Sequence, residues 1–288
     1  MISIVIPALN ESSSIGLTIQ SCRATMEAQN IEYEVIVVDD GSSDDTYNIA
    51  IENGAKVVSH PHNVGYGRSL KDGILTAKFD TIVITDADGT YPVDRIPDLY
   101  GEYQQGFDMV VGARTGKNYD ESTGKKILRI ILKNLVEYTA GRNIPDINSG
   151  LRIFSKQKAT PYYRFLCDTF SFTTSLTLAY MLNGMFVKYI PIEYHKRVGT
   201  ISKVKLFRDS LRTLQFIVEA MLYYNPIKVF LALSFITFVL GLLLLIIGLF
   251  FYSQIAINGF INLTITSIFI FVVGLISVQL KQLLHIEK

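Results

Sequence analysis

The sequence predicts an α/β protein: an open, mostly parallel sheet with helices on both faces, followed by a two-helix transmembrane hairpin. Short β-branched runs alternate with helical stretches through the larger N-terminal part of the chain, as expected of parallel strands joined by helices. Polar residues stand where those runs end. No charged residue lies between Lys228 and Lys281, which leaves room for two membrane crossings of about 20 residues each.

Composition narrows the class of protein. The chain has 288 residues, enough for one large domain or two modest ones. Its net charge of +1, without a lysine-rich or arginine-rich block, gives no indication of a nucleic-acid partner. The hydrophobic content of 49% is high for a soluble protein. The two cysteines, Cys22 and Cys167, stand too far apart to suggest a pair of metal ligands, and their scarcity fits a reducing compartment.

The individual elements follow from apolar runs and from the residues that bound them. A serine among residues 12–14 is a candidate cap for the first helix, and Asp44 or Asp45 for the second. The expected strands are 2–6, 34–38, 56–59, 81–85, 108–112, 151–154 and 185–192. The expected helices end near residues 27 and 54 and cover about 69–77 and 173–182.

The fourth strand ends in the segment that organises the rest of the chain, IVITDADGTYP at residues 82–92. Here an uncharged run meets two carboxylates, Asp86 and Asp88, at the edge where ligands bind in open α/β sheets. Side chains two residues apart on extended backbone point the same way, so this pair is suited to hold one hard cation across a diphosphate. An ordinary turn is the alternative, because Asp and Gly are common turn residues.

Further polar residues are expected at the same edge. Asp39 and Asp40 end the second strand, and Asn10 and Glu11 follow the first. A carboxylate there suits the N–H groups of a nucleobase or the hydroxyls of a ribose. The alternative is that Asp39 or Asp40 only caps a turn, which for Asp40 is equally plausible. No G-x-G-x-x-G pattern follows the first strand, so a dinucleotide-binding fold is disfavoured.

Several ordered motifs resemble one enzyme family, the inverting family 2 glycosyltransferases with the Rossmann-like GT-A fold. The matching segments are PALNE (7–11), VDDGSSDDT (38–46), NVGYGRSL (63–70) and DADGTYP (86–92). Two more, GART (112–115) and IPDINSGLRIFSK (144–156), resemble the branch that transfers sugars to polyprenyl phosphates, relatives of dolichyl-phosphate mannose synthase and undecaprenyl-phosphate sugar transferases. The resemblance covers about residues 1–205.

The resemblance implies a donor site. Asp86 and Asp88 would carry Mg or Mn across the diphosphate. Thr90 stands where the dolichyl enzymes have a glutamine ligand, which leaves the third protein ligand open. The nucleotide-binding residues that it implies are Pro7, Leu9, Asn10, Glu11, Asp39, Gly41, Asp86 and Ala87.

An acceptor site is implied as well. A lipid phosphate is already anionic, so it needs positive charge to position it rather than a strong base. Asp146 would serve as base only if the acceptor were a hydroxyl. The segment at 194–205 resembles the R-x-G-x-S-K loop of the family, with one extra residue after Gly199. The residues expected to contact the acceptor phosphate are Arg114, Arg129, Ser149, Arg197 and Lys203.

The C-terminal part is expected to anchor the protein in a membrane. Residues 203–226 have the spacing of an amphipathic helix lying on the membrane surface, or equally of one packed on the catalytic domain. The spans are expected at 229–251 and 261–280, joined near 253–259. Lysines flank their outer ends, which predicts a cytoplasmic catalytic domain and cytoplasmic termini. The expected domains are therefore 1–202, 203–226 and 227–288.

The sequence thus predicts a membrane-anchored, cation-dependent inverting glycosyltransferase of the hexosyltransferase type, active in cell-envelope glycan synthesis. Its partners would be a UDP- or GDP-sugar donor and undecaprenyl or dolichyl phosphate. Transfer to a sugar hydroxyl of a lipid-linked glycan, and an inactive membrane scaffold, are the alternatives. A processive polysaccharide synthase is disfavoured because its Q-x-x-R-W segment needs a tryptophan and the sequence contains none. The sugar, the nucleobase, the prenyl length and any homo-oligomer are left open.

Overall fold

The computed structural model describes residues 1–116, 123–197 and 206–286, without the side chains of 123–129, 206–210, 212 and 284–286. The chain divides into two compact units, Met1–Phe216 and Ile217–Lys288. The first unit holds the sheet, and the second holds the two long apolar helices.

A seven-stranded sheet forms the centre of the first unit. Its strands are β1 (Ile2–Ala8), β2 (Tyr33–Asp39), β3 (Lys56–Ser59), β4 (Thr81–Ile84), β5 (Met109–Thr115), β6 (Arg152–Ser155) and β7 (Val187–Glu193). They lie in the order β3-β2-β1-β4-β6-β5-β7. All neighbours are parallel except β6, which runs antiparallel to β4 and to β5. Each strand overlaps its predicted position, and the predicted fold class is confirmed.

Helices cover both faces of this sheet. The helices before the apolar pair are α1 (Ile15–Ala28), α2 (Thr46–Glu52), α3 (Tyr66–Thr76), α4 (Ile96–Tyr103), α5 (Thr123–Ala140), α6 (Lys156–Ala159), α7 (Phe172–Leu182) and α8 (Leu206–Tyr224), of which α8 extends into the second unit. Two 3-10 turns, Val93–Arg95 and Thr160–Phe165, complete the unit. The sequence analysis did not predict α4, a short helix that contains Pro97 and Gly101 and buries Ile96 and Leu99.

Alternating side chains of the strands build two cores. Ile4 and Val37 face one side, packed with residues of α1 and α4. Val5 and Ile36 face the other, packed with residues of α3 and α7. Because both faces of the central strands are covered, their sequences are apolar throughout rather than alternating. The polar groups of the sequence are therefore left to the strand ends.

The reversed strand β6 decides where the segment before it lies. Arg152 pairs with Ile84 of β4 and with Val111 of β5. The chain enters β6 at the edge where its parallel neighbours end, so residues 146–151 lie beside the exits of β4 and β5. This direction was not predicted, because the sequence of a four-residue strand does not indicate which way the strand runs.

The start of α8 is tied to the sheet unit. The hydroxyls of Ser171 and Thr213 are hydrogen-bonded, which supports the predicted alternative of packing on this unit for that part of the helix. Leu211 and Leu214 are nevertheless exposed. Apolar area therefore remains uncovered along the same stretch.

The second unit contains α9 (Pro226–Phe250) and α10 (Gln254–Ile286), packed against each other. Ser234 and Ser267 exchange hydrogen bonds, and Gly248 packs on Ile257, so the helices run antiparallel as a hairpin. Two segments, Pro226–Phe250 and Gln254–Leu283, are long and apolar enough to cross a membrane. The connection is only residues 251–253, shorter than the predicted 253–259, because α10 begins earlier than expected.

Candidate active site

Two carboxylates at the exit of β4 form the centre of the candidate site. Asp86 is half-buried and Asp88 is buried. Asp86 accepts a hydrogen bond of 2.9 Å from the Tyr66 hydroxyl. Asp88 accepts from the backbone N–H and the hydroxyl of Thr90, at 3.1 and 2.6 Å. Both carboxylates are thus oriented by neighbouring donors, and the Thr90 hydroxyl already has a partner.

The electrostatics of this pair fit a divalent cation. Burial and the negative charge of Asp88 together raise the pKa of Asp86 to about 7. A bound cation would relieve that repulsion and keep both groups ionised. Among the residues that the structure describes, no three His, Cys, Asp or Glu side chains are grouped to hold a metal ion. Asp86 and Asp88 would therefore supply two ligands, and substrate oxygens and water the others, as is common for Mg²⁺.

Gly150 allows the loop before β6 to approach this pair. A Cβ atom at Gly150 would lie 2.9 Å from Asp86 Oδ1 and 3.1 Å from Tyr91 Cε2. The Gly150 backbone N–H donates to the Tyr91 hydroxyl at 2.6 Å. Any larger residue would displace Asp86 or the loop, so the glycine of the INSG motif is explained by contact with the carboxylate.

Tyr66, at the start of α3, is a site residue that the sequence analysis missed. Its ring stacks on Phe170 with centroids 5.5 Å apart. Gly65 and Gly67 flank it, and a Cβ at Gly67 would lie 2.2 Å from the Cys167 carbonyl oxygen. The glycines thus let the VGYG segment press against residues 167–169, which brings the Tyr66 hydroxyl under Asp86. The motif was visible, but the role of its tyrosine was not.

Arg114, at the end of β5, is fixed by Asp146. Its Nε and Nη2 donate to the two Asp146 oxygens at 2.7 and 2.9 Å, and its backbone N–H adds a bond of 3.1 Å. Asp146 is 2% exposed. Burial alone would raise its pKa, but the charge and hydrogen bonds of Arg114 hold the pKa of Asp146 below its ordinary value. The guanidinium also lies over the Tyr194 ring, 5.5 Å from the centroid.

Ser149 lies inside the loop that precedes β6. It is fully buried, and its hydroxyl donates to the Gly112 carbonyl at 2.5 Å. This hydroxyl is committed to the Gly112 carbonyl in the structure, and its predicted contact with an acceptor phosphate stays a prediction. Ser149 thus joins the loop to β5.

Arg152 holds the same loop from beneath, and it too was missed. It is fully buried, and its guanidinium donates to the Ser149 carbonyl at 2.5 and 3.1 Å. It also donates to the Thr173 carbonyl and the Thr177 hydroxyl of α7, at 2.9 and 3.0 Å. Four hydrogen bonds to neutral acceptors offset the cost of burying this charge.

The exits of β1 and β2 meet as predicted. Asn10 has a φ of +49°, and its side-chain oxygen accepts from the Ser43 N–H at 2.7 Å. Asp39 is buried and accepts from the Ser42 N–H at 3.2 Å. Gly41 has a φ of +74°, and a Cβ there would lie 2.7 Å from the His62 backbone. Pro7 and Ala87 are buried, and Leu9 is half-buried.

Asp40 caps the neighbouring turn. It accepts hydrogen bonds of 2.9 Å from both the Val64 and the Gly65 N–H groups, and its Oδ1 lies 2.8 Å from His60 Nδ1. Of the two readings left open for Asp40, the structure thus shows the turn cap. Asp39 is the carboxylate of this pair that remains a candidate for the nucleotide.

Arg197 joins two carboxylates at the rim of the site. Its Nη2 donates to Glu11 Oε1 at 2.8 Å, and its Nε lies 3.3 Å from Asp88 Oδ2. Glu11 and Asp88 are each 5% exposed. The arginine predicted to contact the acceptor phosphate is therefore paired with Glu11, predicted to bind the nucleotide, and with Asp88, predicted to bind the cation.

Comparison with known proteins places the chain in a family. The family model described as glycosyl transferase family 2 matches residues 3–162, more than half of the chain. The chain belongs to glycosyl transferase family 2. The match includes Asp86, Asp88, Arg114 and Asp146, and the predicted family is confirmed.

Two curated relatives of this family 2 chain have names that state an activity. One is the low-salt glycan biosynthesis hexosyltransferase Agl6 of Haloferax volcanii, 30% identical over 90% of this chain and 61% of its own length. The other is the undecaprenyl-phosphate 4-deoxy-4-formamido-L-arabinose transferase of Photorhabdus laumondii, 32% identical over 54% of this chain and 49% of its own. The chain thus spans about half to three fifths of the length of these relatives.

Solved structures of similar fold include glucosyl-3-phosphoglycerate synthase from Mycobacterium tuberculosis. Its complex with phosphoglyceric acid covers 76% of this family 2 chain and 79% of that chain, at 22% identity and a TM-score of 0.63. The same enzyme with Mn²⁺, UDP and phosphoglyceric acid covers 76% and 78%, at 22% identity and a TM-score of 0.61. At this level of identity the likeness supports the fold.

Two residues of the family 2 chain that are predicted to contact the acceptor phosphate lie outside what the structure describes. The side chain of Arg129 in α5 and the whole of Lys203 are not among the described residues. Lys133, one helical turn beyond Arg129, lies 3.7 Å from Glu137. Arg114 and Arg197 are therefore the predicted phosphate-binding cations whose contacts the structure shows.

Proposed function

We propose that this chain transfers a sugar, with inversion, from a UDP- or GDP-sugar to a polyprenyl phosphate at a membrane surface, with Mg²⁺ or Mn²⁺ as cofactor. The observation that carries the proposal is the Asp86 and Asp88 pair at the exit of β4, beside Arg114 held by Asp146. One part of this site suits a cation-bound diphosphate. The other presents a fixed guanidinium, the group best suited to bind a phosphate.

The donor half would be formed by the exits of β1, β2 and β4. Asp39 is the candidate partner for the nucleoside, and Asp86, oriented by Tyr66, would hold the diphosphate through the cation. When bound, the cation would neutralise the charge that develops on the leaving nucleoside diphosphate. Solved complexes of the Mycobacterium tuberculosis enzyme contain UDP with Mn²⁺ or Mg²⁺, which supports this use of the fold.

The state of Asp146 favours a phosphate acceptor over a hydroxyl. A hydroxyl acceptor would need a base, and Asp146 is the residue predicted for that role. Its lowered pKa and its bonds to Arg114 make it a weak proton acceptor. A lipid phosphate needs no base, because its oxygen is already charged. The Photorhabdus laumondii relative, named for undecaprenyl phosphate, supports the same choice.

The step is a single displacement at the anomeric carbon. A phosphate oxygen of the acceptor forms a bond to that carbon, on the face opposite the diphosphate. The bond to the diphosphate oxygen breaks, and its electron pair leaves with the nucleoside diphosphate. Arg114 would hold the attacking phosphate in line, and Asp146 would keep the guanidinium in one orientation.

A membrane location supports this acceptor. The α9–α10 hairpin has two helices long and apolar enough to cross a bilayer. Lys228 is near the start of α9, and Lys281, near the end of α10, donates to the Tyr224 carbonyl, so both lysines lie at one end of the hairpin. By the positive-inside rule that end is cytoplasmic, which would place the sheet unit and the C-terminus in the cytoplasm.

The test is a product assay with detergent-solubilised protein. A panel of UDP- and GDP-sugars is offered with undecaprenyl or dolichyl phosphate and Mn²⁺, and the lipid product is identified by mass and by the configuration of its anomeric centre. Transfer with inversion is expected, and Asp86→Ala and Asp88→Ala should abolish it. Asp94→Ala, which removes an exposed carboxylate, is the control. Unchanged transfer in both site variants, or no transfer to either polyprenyl phosphate from any of the donors, would refute the proposal.

A further inference from the structure

The starting observation is that a cation of the chain already sits against the carboxylates of the rim. Arg197 lies four residues beyond the end of β7, with Nη2 at 2.8 Å from Glu11 Oε1 and Nε at 3.3 Å from Asp88 Oδ2. Glu11 follows β1 and Asp88 follows β4. The side chain thus spans two loops that the proposed function assigns to the donor.

These contacts have a clear electrostatic reason. Glu11 and Asp88 are both buried, and an ionised carboxylate taken out of water is costly unless a positive charge lies close to it. Arg197 lies within ion-pair distance of both and therefore supplies positive charge to the two buried carboxylates together.

The two contacts of Arg197 are not equal. The bond to Glu11 has ordinary hydrogen-bond geometry. The Nε atom near Asp88 is buried and makes no hydrogen bond, so its contact with Asp88 is an ion pair only. The weaker contact is to the carboxylate predicted to ligate the metal. It is the one that a better-placed cation would replace at least cost.

We infer that Arg197 is a positioning residue that stands in for the metal ion when the donor site is empty and passes to the acceptor phosphate when ion and donor bind. This inference rests on the proposed function. A divalent ion on Asp86 and Asp88 repels a guanidinium 3.3 Å from Asp88 Oδ2. It also supplies the neutralising charge that Arg197 otherwise provides. Once displaced from Asp88, the arginine offers planar donors suited to a phosphate.

A binding order follows. Before the ion and donor bind, Arg197 is paired with Glu11 and Asp88. Afterwards its charge is available, so the anionic acceptor should bind second. The exchange also reconciles two observations, since the sequence motif predicts Arg197 at a phosphate and the structure shows it on carboxylates.

The first test measures Mn²⁺ binding to the full chain in detergent, without donor, by titration calorimetry or by the electron spin resonance of free Mn²⁺. Arg197→Gln should bind Mn²⁺ roughly five- to tenfold more tightly than the parent chain, because a competing charge is gone. Arg197→Lys should stay near the parent value. Arg164→Gln is the matched control, since it removes an exposed arginine outside the rim. A thermal scan of each variant verifies folding.

The outcomes separate two failures. If the parent chain binds Mn²⁺ and Arg197→Gln binds it equally or more weakly, the inference is wrong and the proposed function stands. If the parent chain binds no Mn²⁺ even with UDP or GDP present, the cation assignment of the proposed function fails. If Arg197 had only a structural role, Arg197→Gln would bind every ligand more weakly. The exchange instead predicts that Arg197→Gln binds Mn²⁺ more tightly and has a several-fold higher KM for polyprenyl phosphate.

A second measurement needs no variant. Farnesyl phosphate, a short prenyl phosphate, should bind the parent chain several-fold more tightly in the presence of Mn²⁺ and UDP or GDP than in their absence. Equal affinity under both conditions would overturn the exchange, whatever the behaviour of Arg197→Gln.

Discussion

Replacing Asp86 by Asn should stabilise the ion-free protein at alkaline pH. In the folded chain the pKa of Asp86 is about 7, against an ordinary value of 3.8, because of burial and the charge of Asp88. Well below pH 4 the carboxyl is protonated in both folded and unfolded states, so it carries no penalty. As the pH rises from 4 to 7 the unfolded chain loses the proton first, and the folded state is progressively disfavoured.

The size of the effect follows from the shift. The folded and unfolded pKa values of Asp86 differ by about three. At roughly 1.4 kcal/mol per pKa unit, this lowers the free energy of unfolding by at most about 4 kcal/mol above pH 7. The side-chain amide of Asn keeps an oxygen that can accept from the Tyr66 hydroxyl. At about 2–4 °C per kcal/mol for a chain of this size, the gain in melting temperature at pH 8 should reach up to about 16 °C. At pH 5 the gain should be less than half as large.

Thermal unfolding in detergent with a chelator, at pH 5 and pH 8, measures this directly. Asp94→Asn, at an exposed position, is the control and should change neither value. Adding Mn²⁺ at pH 8 should stabilise the parent chain and reduce its difference from Asp86→Asn. A variant no more stable than the parent at pH 8, or equally stabilised at both pH values, would show that the pKa of Asp86 is not raised in the folded state.

Two further substitutions test other contacts of the site. Tyr66→Phe removes a hydrogen bond that lowers the pKa of Asp86, so Mn²⁺ affinity at pH 7 should fall a few-fold and the pH midpoint of Mn²⁺ binding should rise. Calorimetric titration from pH 6 to 8 measures both, with the exposed Tyr47→Phe as control. Equal binding by Tyr66→Phe and the parent chain would show that the bond is unimportant. Arg114→Lys keeps the charge but loses the two-pronged guanidinium contact with Asp146. The KM for polyprenyl phosphate should therefore rise about tenfold or more, while donor binding with Mn²⁺ is retained. Steady-state kinetics and donor titration measure the two quantities, and loss of donor binding would contradict an acceptor role.

The strands and the position of the site could be predicted because their signals are local. The β-branched runs and the carboxylates that end them mark β2 and β4 in a few consecutive residues. The meeting of those loops at one edge follows from parallel pairing alone. The sequence motifs also identified the family before any contact was known.

What could not be predicted depends on contacts between distant residues. Arg197 reaches Glu11 across 186 positions of sequence, and Arg114 reaches Asp146 across 32. No local pattern distinguishes an arginine on a carboxylate from one on a phosphate. The inner position of Ser149 likewise depends on the reversed direction of β6, which sequence does not record.

The tight bend between α9 and α10 gives experimental access to the orientation of the hairpin. Tyr252 stands in this bend, 94% exposed and with a φ of +52°. The native thiols of Cys22 and Cys167 are both buried. A cysteine introduced at position 252 would therefore be the exposed thiol of an otherwise unmodified chain. A maleimide that cannot permeate lipid, applied to intact cells and then to inverted vesicles, would report which compartment the bend faces.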